Sequence, residues 1–147
     1  FRLQLKPDQK ITRGEVCSIL AQALKLEAKG GAIFSDTSNY WGRNAISALT
    51  AAGIATGYSD SHFGPDDLIT REQLAVMAVK AAKLADIQGE LSYIDAGQIS
   101  SWAQKWVITA TQEHVVRGYT DHTFRPQAGA TRAEAAVVIA NALKLAL

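Results

Sequence analysis

The chain has 147 residues, 48% hydrophobic and 20% charged, and its 15 Lys and Arg nearly balance 14 Asp and Glu. That length suits one domain of roughly 100 to 200 residues, and the charge balance argues against a general electrostatic grip on nucleic acid or an anionic membrane. Cys17 is the only cysteine, which excludes an internal disulfide and a Cys-based metal cluster.

At the N-terminus, Phe1-Arg2-Leu3-Gln4 has no basic region followed by an apolar core, so no signal peptide is visible, and a mature fragment of an exported protein would begin the same way. No apolar stretch approaches the roughly 20 residues that cross a bilayer, so membrane insertion is not expected. The first element follows Pro7. Ile11-Thr12-Arg13-Gly14-Glu15 opens a pattern with Val16, Ile19, Leu20, Ala23 and Leu24 on one helical face. Cys17 falls where two later copies of this pattern have Ala75 and Ala136, which predicts a small buried residue.

A second element begins at Phe34-Ser35-Asp36 and continues through Trp41, with Ala45, Ile46, Leu49 and Ala52 spaced for one apolar face before Gly53 stops it. Next comes a turn, Gly57-Tyr58-Ser59-Asp60 with Phe63 and Pro65, whose Gly permits positive φ and whose Asp can bond its own backbone. Ile69-Thr70-Arg71-Glu72-Gln73 then opens another helix, carrying Leu74, Met77, Ala78, Ala81 and Ala82 on its stripe.

The whole series recurs once more. Tyr93-Ile94-Asp95 precedes Trp102, Trp106 and Val107 on a pattern running toward His114, where the stop is weaker than at Gly53. Gly118-Tyr119-Thr120-Asp121 with Phe124 and Pro126 repeats the turn, and Ala130-Thr131-Arg132-Ala133-Glu134 opens a helix with Ala135, Val138, Ile139, Ala142 and Leu143. The motif returns at offsets of 58 and 61 residues, the signature of a repeat architecture. Leu5 and Pro7 stand where copy two has Phe63 and Pro65, so the first copy lacks its first helix. The expected organisation is one domain over 1–147: a partial repeat at 1–29 and full repeats at 30–88 and 89–147.

Thr12, Thr70 and Thr131 with Glu15, Gln73 and Glu134 three residues on form capping boxes, which explain helix initiation without a ligand. Arginine is not explained that way, because a cation beside the positive end of the helix dipole is unfavourable by roughly 0.3 to 1 kcal/mol. Arg13, Arg71 and Arg132 therefore point either to an anionic ligand at the helix start or to a nearby carboxylate partner. Asp36 and Asp95 suit N-caps or hydrogen bonds to ligand hydroxyls, and Trp41 and Trp102 suit core anchors or platforms for a sugar ring. His62, His114 and His122 show no metal-ligand spacing, and neither a nucleophile motif nor a glycine-rich phosphate loop is present. Catalysis is not expected.

In these motifs the sequence resembles the S-layer homology (SLH) family of bacterial surface proteins. The resemblance rests on Phe34, Asp36, Trp41, Gly53, Ile54, Gly57, Tyr58, Asp60, Phe63, Pro65, Ile69, Thr70 and Arg71. Their counterparts in the last copy run from Tyr93, Asp95 and Trp102 to Thr131, Arg132 and Glu134. It implies an all-α, pseudo-threefold bundle with the helices after the Thr-Arg motifs at its centre. It also implies noncovalent anchoring of an exported protein to the cell wall, by binding an acidic secondary cell-wall polysaccharide that often bears a pyruvate ketal, with no cofactor. The ketal carboxylate would sit at a helix N-terminus against Arg71 or Arg132, with Asp and Trp holding the sugar. Arg13, without Asp and Trp partners in its own copy, is expected to be the poorer site. A structural or self-assembly role within a surface-layer protein, docking to parent-protein domains, and peptidoglycan as the ligand are the alternatives. Gln73 departs from the family motif, which carries Glu there, and Gly14 costs roughly 0.5 to 1 kcal/mol of helix stability relative to Ala.

Overall fold

The computed structural model describes residues 6–28, 30 and 33–145, so the expectations attached to residues 1–5 lie outside the described residues. The described residues fold into five α-helices: α1 (Arg13–Ala23), α2 (Arg43–Ala51), α3 (Arg71–Ala82), α4 (Gln104–Gln112) and α5 (Arg132–Leu143), with one 3-10 turn at Ala96–Gln98 before α4. The all-α class is as expected. Among the described residues, no helix is long and apolar enough to cross a membrane.

Each Thr-Arg motif starts a helix as its chemistry dictates. Thr12, Thr70 and Thr131 are extended N-caps whose hydroxyls accept from the N–H three residues on, and Glu15, Gln73 and Glu134 reach back to the N-cap N–H. What binds the repeats is the residue before each Thr. The Ile11 N–H donates to the Ala130 carbonyl, the Ala130 N–H to the Ile69 carbonyl, and the Ile69 N–H to the Ile11 carbonyl, at 3.0–3.1 Å. These three bonds close a ring about the pseudo-threefold axis, and all three residues are fully buried. Because the ring involves every repeat, removing any one opens a buried backbone donor and acceptor in the other two.

The helices α1, α3 and α5 are the central ones. They bury Val16, Cys17 and Leu20, a continuous run from Leu74 to Val79, and Ala135, Val138 and Ile139. Cys17 is fully buried like its counterpart Ala75, and burial pushes its thiol up to about 12. The outer helices pack one repeat ahead: α2 of the second copy lies on α1 of the first, and α4 of the third lies on α3 of the second. The helix α2 ends in a left-handed Gly53 at φ 74°, and His114 adopts the same conformation at φ 59° after α4. The weaker stop in sequence is therefore the same stop in structure, made by a residue for which that region is less favourable. Phe63 and Phe124 are fully buried against Phe34 and Tyr93, with ring centroids 5.3 and 5.1 Å apart.

Candidate functional site

The same cyclic offset fixes the surroundings of the three arginines. The first two amides of α1, on Arg13 and Gly14, donate to the carbonyls of Asp67 and Pro65 in the turn of the second copy. Arg71 and Glu72 donate likewise to Ala128 and Pro126, while Arg132 and Ala133 donate to Gln9 and Pro7. With the third amide held by the capping Thr and the fourth by the first helical bond, each helix start has spent its amides on neighbouring protein. An anion at these positions must therefore be held by side chains, which corrects the expectation of a helix-terminus site.

The guanidinium groups follow their backbones into the next repeat. Arg13 Nε donates to the Phe63 carbonyl at 3.1 Å and its Nη2 to the Thr56 carbonyl at 3.0 Å, with the group lying over the rings of Tyr58 and Phe63. Arg71 Nε and Nη2 donate to the matching carbonyls of Phe124 and Arg117, and its Nη1 donates to Glu134 Oε2 at 2.6 Å. Tyr119 Oη also donates to that carboxylate oxygen at 2.6 Å. Burial alone would raise the Glu134 pKa, but Tyr119, the Thr131 amide and Arg71 outweigh it and hold the carboxyl below its ordinary value. Arg132 pairs with Glu15 at 2.5 Å. Arg13 and Arg71 are only 5% and 8% exposed, so they pack inside the repeat boundaries as cross-repeat staples.

Asp36 and Asp95 are not α-helix N-caps; those positions belong to Gly42 and Ala103. Their carboxylates instead clasp the turn of their own repeat. Asp36 accepts from the amides of Phe63 and Gly64 at 2.9–3.1 Å, and Asp95 accepts from those of Phe124 and Arg125 at 2.8 Å. Slight burial acts to raise the Asp36 pKa, yet the Gly64 and Phe63 amides prevail and lower it. Trp41 and Trp102 are not core anchors either, being 63% and 55% exposed. They sit in turns just before α2 and α4, where their faces border grooves.

Among the described residues, a groove runs beside each of the three central helices. One, of about 430 Å³, lies along α3 and is lined by Gln73, Lys80, Arg13, Tyr58, Trp102 and Trp106 among others. Another runs along α1, with Glu15, Ser18 and Trp41 on its walls. The third, of about 320 Å³, runs along α5 and contains Arg71, Tyr119 and Glu134 but no tryptophan, leaving Val137 42% exposed. The structure thus unites Arg13 with Trp102 and brings Trp41 to the groove of Glu15, the partner of Arg132. It leaves Arg71 without a tryptophan, which reverses the expected ranking of surroundings for Arg13 and Arg71. Tyr58, Tyr119 and Lys80 belong to these grooves and were not expected there from sequence; the Gly-Tyr repetition was the signal for the two tyrosines.

The structure is an all-helical, cyclically stapled domain with tryptophans at the rims of two grooves, one of which also contains an arginine. The S-layer homology domain pattern matches residues 33–75 and 92–136, and the chain belongs to that family. It is 37% identical over 93% of its length to an endoglucanase from Bacillus sp. (strain KSM-635), of which it spans 15%. It is 34% identical over 95% of its length to the cellulosome-anchoring protein of Acetivibrio thermocellus, of which it spans 33%. To the surface-layer 125 kDa protein of Lysinibacillus sphaericus it is 32% identical over 94% of its length, spanning 12% of that protein. The chain corresponds to the S-layer homology portion of these larger proteins, and its family relatives place it outside the cell, at the bacterial surface.

Proposed function

We propose that this module tethers an exported protein to the cell wall by binding an acidic, pyruvylated secondary cell-wall polysaccharide in its grooves. The observation that carries this reading is the pairing of an arginine-containing groove with a tryptophan more than half exposed at its wall, Trp102 with Arg13 in the α3 groove. A flat aromatic face stacks on a sugar ring, and a guanidinium recognises a carboxylate through its planar fork. Asp36 and Asp95 contribute at one remove, by fixing the turns on which the arginines rest.

Co-sedimentation of the protein with purified wall polymer, before and after removal of its ketal groups, tests the reading. Binding that disappears with the ketals is the expected result, and equal binding to both preparations overturns the role of the acid group. A second reading draws on the ion pairs of Arg71 with Glu134 and Arg132 with Glu15, which suit a purely structural module that docks other surface-layer domains. Loss of polymer binding without loss of thermal stability on replacing the rim tryptophans decides against it.

A further inference from the structure

The three arginines make equivalent backbone contacts but meet unequal partners at one position. Where Arg71 faces Glu134 and Arg132 faces Glu15, the repeat offset places Gln73 opposite Arg13. The consequence lies on a single nitrogen. Arg71 uses all three guanidinium nitrogens, with Nη1 on the Glu134 carboxylate, whereas Arg13 uses Nε and Nη2 and makes no ion pair among the described residues. Its Nη1 has no protein partner there, and it is not sealed from solvent, since no buried side-chain nitrogen in the described residues lacks a hydrogen bond.

The charge balance of the grooves follows. Arg13 and Lys80 line the α3 groove with no acidic side chain, while Glu134 stands in the α5 groove and Glu15 in the α1 groove. A buried guanidinium compensated only by carbonyls and aromatic faces retains attraction for an anion, which an adjacent carboxylate would cancel. Trp102 and Trp106 border the same space, so a carboxylate on a sugar can meet Arg13 while its ring lies against indole.

We infer that Gln73 makes the α3 groove the most acid-selective of the three, with Arg13 Nη1 as the donor to the ligand carboxylate, and that Glu134 and Glu15 lower the affinity of the other two grooves for an acid group. This rests on the glycan-binding reading above and specifies which groove takes the acid group.

Gln73→Glu tests it, because Glu is the residue that already serves the capping box in the other two copies and so preserves the helix start. Binding is measured calorimetrically with ketal-bearing wall polymer and with the same polymer after ketal removal. The expected result is a loss of roughly tenfold or more in affinity for the ketal-bearing polymer, little change with the stripped polymer, and an unfolding midpoint that does not fall. The partner variant Glu134→Gln should strengthen binding to the ketal-bearing polymer by freeing Arg71 Nη1. If the unaltered protein prefers the ketal-bearing polymer and Gln73→Glu binds it equally well, the groove assignment is overturned while the glycan reading stands. If the unaltered protein binds neither polymer, the glycan reading fails, and this inference with it.

Discussion

Arg71 and Glu134 meet at 2.6 Å across the boundary between the second and third repeats. That contact joins helix initiation to repeat assembly, since the same glutamate caps the Thr131 amide and accepts from Tyr119. Glu134→Ala removes all three partners and leaves a nearly buried guanidinium without its counter-charge. We expect a loss of roughly 2 to 4 kcal/mol, read from urea unfolding midpoints. Glu134→Gln keeps the capping box, so its loss should be smaller.

Acid should loosen the turns through Asp36. Its folded pKa lies below the ordinary 3.8, so its contribution is fully present above that value and is lost as pH falls from 3.8 through the lower folded value. Asp36→Asn, which cannot offer the same charge to the Phe63 and Gly64 amides, should flatten stability against pH over that interval. Unfolding midpoints measured from neutral to acid for both proteins give the check, and parallel profiles would contradict the clasp.

Replacing Trp41 and Trp102 with Ala should leave stability within about 1 kcal/mol, because most of each indole already faces water. Sedimentation with wall material should fall. A large drop in melting temperature would instead show that the indoles serve the fold.

Gly14→Ala is a case where helix propensity and packing oppose each other. Propensity favours Ala by roughly 0.5 to 1 kcal/mol, but a Cβ there would collide with the Tyr40 hydroxyl oxygen. Tyr40 must move off the helix start, so we expect Gly14→Ala to destabilise the protein and to become stabilising in a Tyr40→Ala background. A double-mutant cycle by denaturant unfolding measures the coupling. The glycine that looks like a weakness in sequence is the space that Tyr40 fills.

Local chemistry was legible without the fold. The period of the apolar positions set the central helices, Thr with Glu or Gln three residues on set their starts, and the recurring motif showed a repeat architecture whose pseudo-threefold arrangement came from the family resemblance, because each of these depends on neighbours a few residues away or on the motif recurring. Partnership between residues distant in sequence was not legible. Asp36 was expected at a helix cap or on ligand hydroxyls and clasps a turn of its own repeat 27 residues on; the helix amides were expected to be open and are bonded to the next repeat's turn. Arg13 lacked partners in its own copy and found Tyr58 and Trp102 in the following ones. Sequence determines which groups can begin, end and face a helix, through short-range sterics and hydrogen bonding. Only the tertiary structure decides which repeat supplies each partner, because the ring of Ile11, Ile69 and Ala130 sets each Thr-Arg helix start against the turn of the next copy, and that advance leaves no local trace in the chain.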